Sequence, residues 1–389
     1  MKFLKSLAGK NLSSEICVLR VDLNVEDKSN FRLLAIVPTL NLFRKARAKI
    51  VIISHEGRPI LNQKSKIPEA EQARYGAGKN QNYNKFSLRR FTKILEKEIK
   101  QQTHFLDFTF PVSGKFFKDT RSKIDNAPPG SIFLLENLRF LPGEVENRMT
   151  LGKQLASLGT FYVNDAFSVS HRANASLVAI TKFLPSYAGL QLEKEIENLK
   201  RVRDHYKKPF VVIIGGAKTA DKISVIKSLY GRADYFLTGG GIANTFYYAE
   251  GRPIGNSVHE KMKFEKRFMD AIGKKIILPL FNDVRIANTK ILDIGDKTIK
   301  EYCRIISRAK SVIWNGPLGA IEDKRFRRGS EEIARALLKS KARIVVGGGE
   351  TTMLFEKKKL PANLFISTGG GAMLEFLEGK KLPGLTALK

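Results

Sequence analysis

The stretch Ile213-Ile214-Gly215-Gly216-Ala217-Lys218-Thr219-Ala220-Asp221-Lys222-Ile223 decides the fold. Its apolar lead-in, Phe210 to Ile214, reads as a buried strand. Two glycines end it, and Ile223, Ile226 and Leu229 then recur at helical spacing. A strand that runs through glycines into a helix leaves backbone N–H groups pointing out at its tip. Glycine admits an anion close to that backbone, and the helix dipole favours negative charge there. Lys218 and Lys222 are one turn apart, so both can face one bound group. The expectation is a loop that holds the phosphates of a nucleotide. The competing reading is a plain turn with two surface lysines. On this stretch alone the plain turn prevails, because Gly-Gly turns and exposed lysines are common.

Outward from this stretch the pattern repeats. Strands are expected at Tyr235–Leu237, Lys275–Leu278, Ser311–Ile313, Ile344–Val346 and Leu364–Ile366. Several run into glycines: Gly239-Gly240-Gly241, Gly316 with Gly319, Gly347-Gly348-Gly349 and Gly369-Gly370-Gly371. No G-x-G-x-x-G follows any of them, which counts against a dinucleotide-dependent dehydrogenase. Leu190 to Tyr206 is an amphipathic helix of a length suited to bridging two domains.

The first half shows strands that end in polar groups instead. Residues 16–25 form a strand carrying Asp22 and Asn24 at its far end, and Arg32 opens a helical pattern in which Pro38 marks a kink or a boundary. The strand Ala48–Ser54 runs into His55-Glu56-Gly57-Arg58-Pro59. Ile132–Leu135 runs into Glu136-Asn137-Leu138-Arg139, and Phe161–Phe167 leads to Ser170-His171-Arg172. Strands alternating with helices imply a parallel sheet covered on both faces, and strand tips of such a sheet line one edge. Five polar clusters at strand tips and a helix entrance would converge there, and several arginines on one rim bind a compact, highly charged anion.

A length of 389 residues suits two domains, and 43% hydrophobic residues suffice for their cores. Cys17 and Cys303 cannot build a disulfide framework, so a reducing cytoplasm is expected. No apolar run nears the roughly 20 residues of a membrane-spanning helix. The 68 Lys+Arg against 38 Asp+Glu give +30, a field that attracts anions of every kind. Residues 61–87 read as a long basic loop; their Gly76-Ala77-Gly78-Lys79-Asn80 lacks P-loop spacing. The charge motivates a second reading, a nucleic-acid-binding module. Tyr75, Tyr83 and Phe86 are too sparse for stacking platforms and no reader motif is present, so no specific nucleic acid is expected.

Taken in order, these motifs strongly resemble phosphoglycerate kinase across nearly the whole chain apart from 61–87. The resemblance is carried by Arg20-Val-Asp22-Leu-Asn24, Ser54-His55-Glu56-Gly57-Arg58-Pro59, Glu136-Asn137-Leu-Arg139-Phe140 and Asn164-Asp165-Ala166-Phe167 with His171-Arg172. In the second half it is carried by Gly215-Gly216-Ala217-Lys218, Trp314-Asn315-Gly316-Pro317 with Glu322, Gly347-Gly348-Gly349, and Ser367-Thr368-Gly369-Gly370-Gly371.

The resemblance implies an α/β protein of two doubly wound, Rossmann-like parallel-sheet domains joined by a helix and hinge. Residues 1–185 with 378–389 would hold phosphoglycerate, and 186–377, beginning with the helix 190–206, would hold the nucleotide. The implied reaction is reversible transfer of the acyl-phosphate of 1,3-bisphosphoglycerate to Mg-ADP, giving 3-phosphoglycerate and ATP, in a cytoplasmic monomer. Asp22, Asn24, Arg32, His55, Arg58, Arg139 and Arg172 would bind phosphoglycerate. Gly215, Gly216, Ala217, Lys218, Lys222, Gly240, Gly241, Asn315, Pro317, Glu322, Gly347, Gly348, Gly349, Glu350 and Thr351 would bind the nucleotide. Arg32, Lys218 and the N–H groups of Gly370 and Gly371 would neutralise the moving phosphoryl group; phosphoryl transfer needs positioning and charge more than covalent help. His171 is expected to be structural. Glu350 stands where the family usually carries Asp, so the magnesium of the nucleotide is contacted by a longer side chain, directly or through water. Asn174 stands where the family commonly has His, and Ser168 and Ser170 replace smaller residues.

Overall fold

In the computed structural model, residues 1–7, 9–24, 31–59, 81–108 and 112–388 are described; Gly76–Asn80 and most of the basic 61–87 stretch lie outside them. The chain divides into two compact units, Met1–Lys194 with Lys381–Lys389, and Glu195–Lys380. The boundary falls inside the helix Leu190–Arg203, which ends short of Tyr206.

The first unit is built on β1 (Ile16–Arg20), β2 (Lys49–Ile53), β3 (Thr103–Leu106), β4 (Ile132–Leu135), β5 (Phe161–Asn164) and β6 (Ser186–Ala188), all parallel, in the order β3-β4-β2-β1-β5-β6. β1, β4 and β5 are buried at every residue and β2 at all but Lys49, as expected for strands covered on both faces. One face packs Cys17, Leu19, Ile50 and Leu134 against Phe43, Phe91 and Leu95 of the flanking helices. Each such side chain, fully buried, contributes about 1.5–3 kcal/mol. From β1 the chain moves outward through β2, β3 and β4 on one side and then crosses back to β5 and β6 on the other, so the order reverses beside β1, and the crevice beyond these strand tips is the switch point where such sheets take ligands.

The strand expected over 16–25 stops at Arg20, because Asp22 and Asn24 turn their side chains onto nearby backbone N–H groups instead of extending a ladder. Pro38 breaks nothing: the helix Phe31–Lys45 runs through it. Pro38 and Leu34, whose carbonyl loses its helical partner, both lie on the exposed face, where that carbonyl is open to solvent. Residues 81–86, assigned to the loop from sequence, form the helix Gln81–Phe86, which buries Tyr83 against Phe140 and hydrogen-bonds it to Asp107 at 2.5 Å. Both chain termini close on this unit: Ala188 N–H donates to Lys2, and Gly384 N–H donates to Ser170.

The second unit contains β7 (Phe210–Ile214), β8 (Tyr235–Thr238), β9 (Ile276–Ile277), the antiparallel pair β10 (Val284–Ala287) and β11 (Lys290–Ile294), then β12 (Ser311–Asn315), β13 (Arg343–Gly347) and β14 (Leu364–Ile366). Its parallel sheet runs β14-β13-β12-β7-β8-β9. Here the order reverses between β7 and β12, so the switch point lies at Gly215-Gly216 and Gly316-Pro317. Among the described residues no helix is long and apolar enough to cross a membrane, and both cysteines are free.

Candidate functional site

At the tip of β1 the most buried charge is Arg20, 1% exposed. Its Nε donates to Ser176 Oγ at 3.0 Å, one amino group donates to the Val21 carbonyl, and the other to His55 Nδ1 at 3.2 Å. A guanidinium only donates, so Nδ1 of His55 is the acceptor and the ring proton sits on Nε2. Burial first and Arg20 second push the imidazole well below its ordinary pKa; Arg139 and Arg172 add to this and Asp22 opposes it. His55 is therefore a neutral hydrogen-bond donor.

Asp22 sits beside it. Burial opposes its ionisation, but Arg32 nearby, and hydrogen bonds from Ser168 Oγ and Asn24 N–H, hold its carboxyl below the usual range. Arg32 lies 3.2 Å from Asp22 Oδ2 and also donates to the Asn24 carbonyl at 2.5 Å. Asn24 Oδ1 takes the Gly57 N–H at 2.7 Å, which ties the β1 tip to the loop after β2. Asn137 bridges the next loop, with Nδ2 donating to the Glu56 and Phe86 carbonyls at 2.8 Å each, and Oδ1 accepting from Arg139 N–H at 3.0 Å.

Arg139 is lowered by burial first, then by Arg172, with Arg20 and Arg58 contributing and Glu144 opposing. Its Nε is buried without a partner. The structure thus brings Asp22, Asn24, Arg32, His55, Arg58, Arg139 and Arg172 to one rim. Positive charges that depress one another, with an idle N–H among them, make a receptor for a polyanion. Burial and Arg172 also lower the pKa of His171, whose Nε2 accepts from Arg172 Nε at 3.2 Å, so it orients that arginine.

Sequence reasoning left Arg20 and Asn137 out of the binding set. The signal for Arg20 was present, a charge closing the apolar run Ile16–Leu19; Asn137 showed only as part of the polar cluster after Leu135, and its bridging role did not, because its partners come from two other loops.

In the second unit the glycine turns interlock. Gly215 N–H donates to Asn315 at 3.0 Å, Gly216 N–H to Pro317 at 2.7 Å, Gly240 N–H to Leu318 at 3.1 Å and Gly241 N–H to Gly216 at 3.1 Å. Gly316 holds φ +86°, and a Cβ there would overlap the Gly215 carbonyl oxygen. At Gly348, φ +95°, a Cβ would stand 3.5 Å from Gly316 N, 3.5 Å from Thr351 Oγ1 and 3.6 Å from Asn315 Nδ2. Asn315 Nδ2 and Thr351 Oγ1 are buried without partners. Donors therefore converge on a space that glycine alone leaves open, which is the chemistry of a phosphate cradle.

The plain-turn reading with two surface lysines holds for Lys218 but not for Lys222. The helix begins at Ala220, so Lys218 lies on the exposed turn before it, while Lys222 is buried and its Nζ donates to the Gly215 carbonyl. Ala217, Gly349, Glu350 and Glu322 are exposed. Ser367 Oγ and the Thr368 N–H and hydroxyl all donate to Glu195, fixing the turn that carries Gly370 and Gly371.

Burial pushes the Lys222 ammonium down to about 8, helped by Lys218 and opposed by Glu350 and Asp221. Its folded pKa lies below the unfolded value, so between about pH 8 and 10.5 the unfolded chain holds a proton that the native chain lacks, and stability rises with pH across that window. A bound phosphate favours the ammonium. Affinity for a phosphate ligand at this lysine is expected to fall as pH rises through about 8, with proton uptake on binding above it. Calorimetry in buffers of different ionisation enthalpy measures that uptake, and Lys222→Met should abolish it.

Among the described residues no cluster of three or more His, Cys, Asp or Glu could hold a metal ion. The cradle fits magnesium only as part of a metal-nucleotide: it supplies donors for phosphate and one neighbouring carboxylate, Glu350. Mg²⁺ is ordinarily held in this way, by one or two carboxylates plus substrate phosphates.

A cationic rim for a small anion on one parallel sheet and a glycine-lined phosphate cradle on another define a kinase. Phosphoglycerate kinase is the family whose model matches residues 7–380. The phosphoglycerate kinase of Herpetosiphon aurantiacus is 36% identical over 405 residues, covering 97% of this chain and 96% of that one. That of Akkermansia muciniphila is 37% identical over 410 residues, covering 95% and 94%. The crystal structure of phosphoglycerate kinase from Pyrococcus horikoshii superposes with a TM-score of 0.79 at 29% identity, covering 100% of this chain and 98% of that one. The Coxiella burnetii enzyme gives 0.72 at 31% identity, covering 98% and 97%. The chain belongs to the phosphoglycerate kinase family.

Proposed function

We propose that this chain carries out the glycolytic phosphoryl exchange of that family, 1,3-bisphosphoglycerate and Mg-ADP to 3-phosphoglycerate and ATP, and the reverse. Arg58, Arg139 and Arg172 take the phosphate of the acid, where three guanidinium groups offset its charge. Asp22, Asn24 and neutral His55 accept from and donate to its hydroxyl and carboxyl groups. Gly215, Gly216, Ala217, Pro317, Gly347 and Gly349 shape the nucleotide-binding turns. Asn315 and Thr351, with the N–H groups near Gly348, hold the nucleotide phosphates. Gly240 and Gly241 border the base, and Glu322 accepts from ribose hydroxyls. Glu350 would hold the magnesium of the metal-nucleotide, directly or through water, and the ion would supply charge neutralisation there.

No general base is needed, because the acceptor oxygen is already ionised. Arg32, Lys218 and the backbone N–H groups of Gly370 and Gly371 balance the charge of the phosphoryl group in transit. Transfer in line requires the two substrates to be carried together, which is the work assigned to the hinge. The observation that carries the reading is the convergence of the idle donors Asn315 Nδ2 and Thr351 Oγ1 on the open space at Gly348.

With ATP, Mg²⁺ and 3-phosphoglycerate, an acyl-phosphate is expected that hydroxylamine traps as a hydroxamate. Absence of hydroxamate at every magnesium concentration overturns the proposal.

A further inference from the structure

The helix Gln81–Phe86 belongs to the 61–87 stretch that the resemblance to the family leaves out, yet it is tied to the loops that carry the anion rim of the first unit. Tyr83 is buried and stacks on Phe140, the residue after Arg139, with ring centroids 4.6 Å apart and planes at 18°. Its hydroxyl donates to Asp107 Oδ1 at 2.5 Å, and Asp107 Oδ2 accepts from Arg89 at 2.9 Å. The Phe86 ring lies where a Cβ on Gly57, the residue before Arg58, would fall. The Phe86 carbonyl accepts from Asn137 Nδ2 at 2.8 Å. Directly after the helix, Glu136 accepts from the Ser87 hydroxyl at 2.6 Å and the Leu88 N–H at 2.8 Å. One short helix thus backs both the Gly57-Arg58 loop and the Glu136–Phe140 loop. A rim of like charges needs such backing. Arg172, Arg20 and Arg58 all oppose the charge on Arg139, so guanidinium groups without an anion between them push apart. Neutral rings packed behind the loops resist that push without competing for the anion.

We infer that Tyr83 and Phe86 are positioning residues of the anion rim: their rings, set behind Phe140 and Gly57, hold the loops of Arg139 and Arg58 in the arrangement that one bound anion bridges. This deepens the kinase reading and rests on it for the identity of the anion, 3-phosphoglycerate. The glycine turns belong to the other sheet, so the effect falls on the acid and not on the nucleotide. A bound anion favours the same arrangement that the rings favour, so ligand and helix stabilise each other by the same factor.

The test titrates wild-type protein, Tyr83→Leu and Tyr83→Phe by calorimetry with 3-phosphoglycerate and, separately, with ADP. Leucine removes the stacked ring and phenylalanine keeps it. A misplacement near 1 Å costs such a site on the order of 10²-fold, so partial release of Arg139 should weaken 3-phosphoglycerate roughly tenfold in Tyr83→Leu. ADP affinity should be unchanged, and Tyr83→Phe should bind both ligands as the wild type does. In the wild type, amide exchange across residues 83–88 should slow when 3-phosphoglycerate is added and not when ADP is, a readout that needs no variant to fold. A ring that serves the fold alone would lower the melting temperature of Tyr83→Leu and leave its 3-phosphoglycerate titration unchanged, which overturns the inference. Exchange at 83–88 indifferent to 3-phosphoglycerate overturns it too, and a loss in Tyr83→Phe as large as in Tyr83→Leu overturns the role of the stack. Each of these failures leaves hydroxamate formation, and so the kinase reading, standing. A wild type that neither binds 3-phosphoglycerate nor forms hydroxamate overturns both.

Discussion

Gly316→Ala is expected to lower the melting temperature by roughly 10 °C and ADP affinity on the order of 10²-fold. Gly316 holds φ +86° at the tip of β12, a conformation that costs a residue with a side chain about 1–3 kcal/mol. The added methyl has no room either. It would overlap the Gly215 carbonyl oxygen and crowd Lys222 Nζ, and forcing atoms into a packed site costs another ~1–3 kcal/mol. The sum, about 2–6 kcal/mol, is among the large single-residue effects, and a domain of this size loses about 2–4 °C per kcal/mol.

Binding suffers separately. Gly215 and Gly316 sit at the switch point, and the Gly215 carbonyl that the methyl would strike also accepts from Lys222 Nζ, so relief of the clash moves the N–H groups that define the cradle. A shift near 1 Å in such a site costs on the order of 10²-fold. Gly231→Ala is the control: a Cβ there meets nothing within 4 Å and its φ is ordinary, so stability should stay within about 0.5 kcal/mol. Thermal unfolding and calorimetric titration with ADP read both effects. A Gly316→Ala protein as stable as the Gly231→Ala control would show that this turn is not held as described.

Much of the fold is legible in the chain because fully covered parallel strands write themselves as apolar runs. Phe210–Ile214 and Leu364–Ile366 fall where periodicity puts them. The strands that escape notice are those whose burial is set by neighbours. Thr103–Leu106 is an edge strand with an exposed His104, and Ser186–Ala188 is three residues long beside the β5 edge. The pair Val284–Ala287 and Lys290–Ile294 is partly exposed and turns through Asn288 and Thr289, which give no Asn-Gly signal.

The candidate site divides in the same way. Residues at strand tips announce themselves by type, as His55, Arg139 and Gly216 do. Residues whose role depends on a partner far along the chain do not: Asn137 between two loops, and Glu195 beneath Thr368, 173 positions away. The spacing of Lys218 and Lys222 does not reveal their difference in burial, for a local reason. Helical periodicity holds only inside the helix, and Lys218 lies before its first residue.

That difference between the two lysines sets up the other large effect. Lys218→Ala is expected to reduce kcat by about 10²–10³-fold while changing neither 3-phosphoglycerate affinity nor stability. Lys218 stands on an exposed turn, so its loss should cost the fold no more than about 0.5 kcal/mol. In the proposed reaction its ammonium meets the phosphoryl group only in transit, and removing one such preorganised charge ordinarily costs about 10²–10³ in kcat. An interaction made in the transition state alone leaves substrate binding untouched, so kcat and kcat/KM should fall together. Lys222→Met should behave otherwise. It withdraws the donor from the Gly215 carbonyl inside the fold and should lower melting temperature and ADP affinity along with turnover. Single-turnover rates, calorimetric titration with 3-phosphoglycerate, and melting curves on both variants separate the cases. If Lys218→Ala weakened 3-phosphoglycerate binding while kcat held, the charge would belong to the ground state, and the neutralising role would pass to Arg32 and the Gly370-Gly371 turn.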